Sequence, residues 1–126
     1  MKSITRLLVL TAATAGLASC GEKPIEPPSN VGICWHALPQ KDGTINFNEL
    51  SKNVPNLETC AATLEGMRLR FRSLGGSEQV VGSYQGQFLF LDSRGVQSAQ
   101  TLTGVRYTAL VPTGDGRLAV PGVIPR

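Results

Sequence analysis

The clearest pattern in the chain is a set of apolar residues, Leu57, Cys60, Leu64, Met67, Phe71 and Leu74, spaced by three and four. That spacing puts all six on one stripe of an amphipathic helix. Pro55 stands before it, and Gly75-Gly76 follows with the left-handed residue that a helix C-terminus favours. A helix over about 56–74 is expected. A second pattern overlaps it: Met67-Arg68-Leu69-Arg70-Phe71-Arg72 alternates strictly, and Gly66 is placed to cap a shorter helix and release a strand. Residues 67–72 are thus open to both readings. The longer helix is preferred because it keeps six apolar residues in register.

Beyond Gly76 the period falls to two. Residues 79–92 are rich in Val, Tyr, Phe and Leu, and Asp92-Ser93-Arg94-Gly95 suits a type I turn with a glycine bulge that returns the chain through 96–101. Gly82 and Gly86 suggest a bulge within the first arm. Residues 105–111 read as a third strand, which Thr113-Gly114-Asp115-Gly116 turns into a fourth at 117–120. Upstream of the helix, 31–38 reads as a short buried strand or extended segment, Lys41-Asp42-Gly43-Thr44 as a turn, and 47–53 as one helical turn. The fold class expected is α+β, with one amphipathic helix (about 56–74) packed on a small antiparallel β-meander (about 79–120).

The first 20 residues follow a different logic. Lys2 and Arg6 precede a run of ten mostly apolar residues, 7–16, which is too short for a span of about 20 and has the form of a signal-peptide core. Leu17-Ala18-Ser19-Cys20 then resembles the lipobox of bacterial lipoprotein precursors. The resemblance implies a diacylglycerol thioether on Cys20, cleavage before it, and acylation of the new N-terminus, with palmitate as a typical chain. Several chains at about 0.8 kcal/mol per buried methylene anchor stably where one does not. In this family an Asp after the cysteine signals retention in the inner membrane. Gly21 stands there instead, so the resemblance points to the outer membrane, facing the periplasm. Residues 21–30 carry Pro24, Pro27 and Pro28 and one aliphatic residue, so they read as a polyproline tether reaching roughly 30 Å at about 3.1 Å per residue. The expected organisation is a signal peptide at 1–19, a lipidated Cys and flexible tether at 20–30, and one small domain at 31–126.

Cleavage changes the charge balance. Without Lys2 and Arg6 the twelve bases become ten, against nine acids, so the mature chain is nearly neutral rather than basic. The charges are segregated all the same, with a net −3 over 21–66 and +4 over 67–126. Two solvated faces account for this most simply, although such asymmetry also guides a docked partner. Arg68, Arg70 and Arg72 form a candidate interaction surface, facing lipid phosphates or an acidic partner. Their plainer role is to favour the helix C-terminus and cover apolar surface with their stems. An exported location excludes nucleic acid.

Two cysteines remain once Cys20 is set aside. In an oxidising compartment an even pair in a small domain is most simply a disulfide, Cys34 to Cys60, stapling the first strand to the helix. A metal site built on Cys34, His36 and Cys60 would have one histidine and no Cys-x-x-Cys, and no metal or other cofactor is expected. Catalysis finds little support. His36 is the only histidine, no Gly-x-Ser-x-Gly elbow occurs, and Gly114-Asp115-Gly116 lacks the Lys-Ser or Lys-Thr of a phosphate loop. The expectation is a non-enzymatic, lipid-anchored accessory or assembly factor with an envelope protein as partner. A helix followed by a strand-Asp-x-x-Gly-Val hairpin also resembles the small assembly lipoproteins of the outer-membrane protein insertion machinery, at the level of fold analogy only. The alternative is a ligand-binding module, such as a lysozyme-type inhibitor, on the same anchor.

Overall fold

The structure, a computed structural model, describes residues 25–115 and 117–121. The signal peptide read over 1–19 and the lipobox with Cys20 lie outside the described residues. Among these, seven strands and one helix make up the fold: β1 (Cys34–Pro39), β2 (Ile45–Ser51), α1 (Leu57–Ser73), β3 (Val80–Tyr84), β4 (Gln87–Asp92), β5 (Gly95–Ala99), β6 (Tyr107–Pro112) and β7 (Leu118–Ala119). The strands form one sheet in the order β2-β1-β3-β4-β5-β6-β7, with every pairing antiparallel. One helix on an antiparallel sheet is the α+β class expected from the sequence.

The helix follows the longer pattern. Asn56 caps it by accepting from the Thr59 N–H at 2.9 Å, and Glu58 in the first turn suits the positive end of the dipole. At the other end Gly76 N–H donates to Phe71 O at 2.7 Å and Gly75 N–H to Arg72 O at 3.0 Å, with Gly75 at φ +79°. That pair of bonds is a Schellman motif, which needs a residue free to adopt positive φ. Residues 67–72 are therefore helical, and their alternation is not that of a strand.

Two sequence readings are corrected. Residues 47–53, read as a helical turn, lie largely in β2, which pairs with β1 from Pro39↔Ile45 to Cys34↔Ser51. The signal was the alternation of Ile45 and Phe47 with Asn46 and Asn48, a period of two. Residues 79–92, read as one bulged arm, are two strands joined at Gln85-Gly86, whose φ values of 45° and 83° are both positive as a tight hairpin turn requires.

Gly82 has a different purpose from the bulge assigned to it. A Cβ there would fall 2.3 Å from Leu64 Cδ1 and 2.8 Å from Trp35 O, so the missing side chain is what lets the helix seat on β3. Gly82→Ala should destabilise the domain by about 1–3 kcal/mol through overpacking, read as a lower urea midpoint. An unchanged midpoint would show that the helix shifts freely on the sheet.

Each face of the sheet has its own core. Under the helix, Leu64, Cys60 and Ala61 meet Val80, Leu89, Leu91, Val96 and Leu110. On the other face Phe88 and Phe90 pack with Ala37, Ala99, Phe47 and Leu102. Phe47 and Phe88 rings lie 6.1 Å apart although β1 and β3 separate their strands. Three strand spacings of about 4.8 Å hold their backbones roughly 14 Å apart in a flat sheet, so the two rings reach toward each other across the intervening strands. Arg106 closes this face with its guanidinium 3.7 Å from the Phe90 ring centroid.

The strand register also sorts the molecule into two ends. At one, Cys34 pairs with Tyr84 and Tyr84 with Gln87, next to the start of α1. The N-terminal segment is fastened there, because Gly86 N–H donates to Pro28 O at 2.9 Å and Pro27 is buried. The last residues assigned to a tether are thus part of the fold. At the opposite end lie the C-terminus of α1, the β1–β2 turn and the β4–β5 turn.

Candidate functional site

Cys34 and Cys60 are joined by a disulfide, with Cα atoms 5.4 Å apart, and both are fully buried. The bridge ties the first residue of β1 to the first turn of α1, as the inward positions of both cysteines in their elements require. It also uses both thiols of the metal reading. Among the described residues no group of three or more His, Cys, Asp or Glu side chains could hold a metal ion.

His36 and Trp35 are neighbours in sequence but alternate across β1. His36 faces the helix, where its ring lies 6.0 Å from that of Phe71, and burial pushes its pKa down so that it stays neutral. Trp35 faces the side away from the helix, paired in register with Ser83. The two do not form a joint site.

The three arginines separate in the same way. Arg68 is buried: its Nε and Nη2 donate to the two carboxylate oxygens of Glu65 at 2.8 and 2.6 Å, and its Nη1 to Glu78 O at 3.3 Å. The expectation that Arg68 belongs to an exposed surface is therefore corrected. It lies close to Leu64 in angle on the inward side of the helix, and the bidentate Glu65 is what makes its burial tolerable. Arg70 and Arg72 are exposed in the last turn and form no ion pair with a described acid. Two residues apart on a helix, they do not face each other. They flank the helix end rather than forming one patch.

What they flank is apolar. The stripe that seats the helix runs past the sheet, leaving Leu74 84% and Phe71 38% exposed, with Leu38 of β1 and Leu69 also open to solvent. No sequence signal marked this overhang, because a stripe of even spacing does not say where the sheet beneath it stops. On the flank of the helix, Ala62, Gly66 and Leu69 face Leu110 and Leu118 across a groove of about 450 Å³, with Glu58, Glu65 and Arg117 at its rim.

The arrangement defines a small, disulfide-bonded α+β domain whose open features among the described residues are an apolar helix end with two exposed arginines and a shallow apolar groove. No protein-family model, curated protein or solved structure matches this chain.

Proposed function

We propose that this protein is a lipid-anchored envelope protein that faces the periplasm and acts as a non-catalytic accessory or assembly factor. The lipobox carries the anchoring, and Cys20→Ser should leave the precursor unprocessed and unlabelled by a fatty-acid analogue. Complete processing of that variant would refute a lipid anchor.

The observation that supports partner binding is the helix end. Exposed Leu74, Phe71 and Leu38, with Arg70 and Arg72, which pair with no described acid, beside them, sit at the end of the molecule opposite the fastened N-terminal segment. An apolar centre with arginines at its edge is the composition of a protein–protein contact. The partner surface is then apolar with acidic groups around it. Co-purification from mild detergent tests this. Arg70→Gln with Arg72→Gln should weaken recovery of the membrane partner, and recovery by the unaltered protein should fall with salt. The thermal midpoint should move by no more than a few degrees, since each exposed terminal arginine contributes at most about 1 kcal/mol. Unchanged recovery would assign both residues to solvation.

The groove beside the helix favours a second reading, a ligand-binding or inhibitor module on the same anchor. Its apolar lining with a few charged groups at the rim is the make-up of a small-ligand site. A clean monomer that retains a bound ligand through purification, with no membrane partner, would support that reading over the first.

A further inference from the structure

The end of the domain to which the N-terminal segment is fastened has an exposed surface of its own. Val31 is 86%, Val105 71% and Tyr107 67% exposed. Val31 precedes Gly32, whose N–H donates to Gln85 Oε1 at 3.0 Å, so it stands beside the β3–β4 turn. Val105 lies on the loop leading into β6, and Gln100 and Thr101 of that loop share one cleft with Pro27, Ser29 and Gly86. The three exposed apolar side chains therefore belong to the same end as the docked Pro27-Pro28. The lining of that cleft carries one acidic residue, Glu26, and no basic one.

Chain length limits how far this end stands from Cys20. Seven residue-to-residue steps lead from Cys20 to Pro27. Fully extended at about 3.5 Å each, they span at most about 25 Å. The 17 residues of α1 carry the opposite end roughly 25 Å further.

We propose that the face bearing Val31, Val105 and Tyr107 rests on the headgroup layer of the bilayer that holds the lipidated Cys20. This rests on the lipid-anchor reading given above and adds the orientation of the domain to it. Exposed aliphatic side chains gain from the acyl boundary, and a tyrosine suits the interface because its ring is apolar and its hydroxyl stays wet. So few side chains would bind a membrane weakly on their own. The anchor makes their contact intramolecular, at high effective concentration, and a small free energy then suffices to set orientation. In that orientation Arg70, Arg72 and Leu74 point away from the lipid.

The test uses the acylated full chain in phosphatidylcholine vesicles. With Cys20 acylated and Cys34–Cys60 bridged, Val105→Cys introduces a single reactive thiol, and Leu74→Cys does the same at the far end. Both positions are exposed, so neither substitution disturbs the core. Each is labelled with an environment-sensitive fluorophore. Flotation with the vesicles reports the anchor; a blue shift with loss of iodide quenching reports contact. The expected result is flotation of both proteins, with the optical change at position 105 and none at 74. Flotation with equal responses at the two positions, or a larger one at 74, overturns the orientation and leaves the anchor standing. Failure of the acylated chain to float removes both.

Discussion

Replacing Cys34 and Cys60 together by Ala should lower the unfolding free energy by about 3.5 kcal/mol, the loss expected on the chain-entropy model for a bridge across a sequence separation of 26. A domain of this size is stable by roughly 5–15 kcal/mol in all, so the change removes a large share. Its location gives the loss a definite form. The enclosed loop holds nearly all of β1 and the whole of β2, and β2 is an edge strand whose one neighbour is β1. Without the bridge, that hairpin and the first turn of α1 keep their hydrogen bonds but lose their covalent tie. A urea titration should show a lower midpoint and a somewhat steeper slope, because an unfolded chain without the loop exposes more surface. With both sulfurs buried, a reductant should reach the bridge only through local opening, so alkylation in native buffer should be slow. An unchanged midpoint in the Ala variant would mean that the packing around Leu64 holds the helix unaided.

The features that sequence made legible are those whose cause is local. Pro55 and Gly75-Gly76 marked the bounds of the helix, the latter through hydrogen bonds within a few residues, and Asp92-Ser93-Arg94-Gly95 turns the chain with Asp92 Oδ1 accepting from Arg94 N–H at 2.8 Å. The disulfide was legible for another reason: two remaining cysteines in an apolar strand and an inward helical position leave one simple pairing. What escaped was set by distant neighbours. Gly82 is glycine because Leu64 and the Trp35 carbonyl approach from elements far off in sequence. β2 was hidden because an edge strand of mixed Asn, Glu and Phe has a weak pattern, and its pairing with β1 decides it. Pro27 and Pro28 have the composition of a linker, and only the Gly86 N–H shows where the fold begins.

The candidate surface was half legible, and the reason is angular. Arg68, Arg70 and Arg72 stand close in the chain, but each step of two on a helix turns by about 200°, so Arg70 lies opposite the other two, and Arg72, about 40° from Arg68, differs from it by lying a turn further on, past the sheet. Burial then assigns them: Arg68 points at the sheet, while Arg70 and Arg72 have only solvent at the helix end. The apolar half of the surface, Leu74 and Phe71, looked like core. It is exposed because α1 overhangs the sheet.

Arg68→Ala should therefore cost about 3 kcal/mol, near the lower end of the range for breaking a buried ion pair. It leaves the Glu65 carboxylate without either of its guanidinium donors and the Glu78 carbonyl without its 3.3 Å partner, while the 19% exposure of the Glu65 side chain lets water recover part of the loss. The guanidinium pKa is raised by its hydrogen bonds to Glu65, so deprotonation of Arg68 offers no escape. Arg68→Lys should not rescue the site, because an ammonium cannot make two parallel bonds to the carboxylate. Changing both partners, Glu65→Leu with Arg68→Met, removes the stranded charge along with the ion pair and should cost much less than Arg68→Ala alone. Urea titration of Glu65→Leu, Arg68→Met and the double variant gives the coupling free energy directly. A double variant as unstable as Arg68→Ala, although Met keeps an apolar stem, would mean that the ion pair and the bond to Glu78 O, rather than relief of a stranded Glu65 charge, decide the stability. An Arg68→Ala variant of unchanged stability would return Arg68 to the exposed surface, alongside Arg70 and Arg72, as a candidate contact.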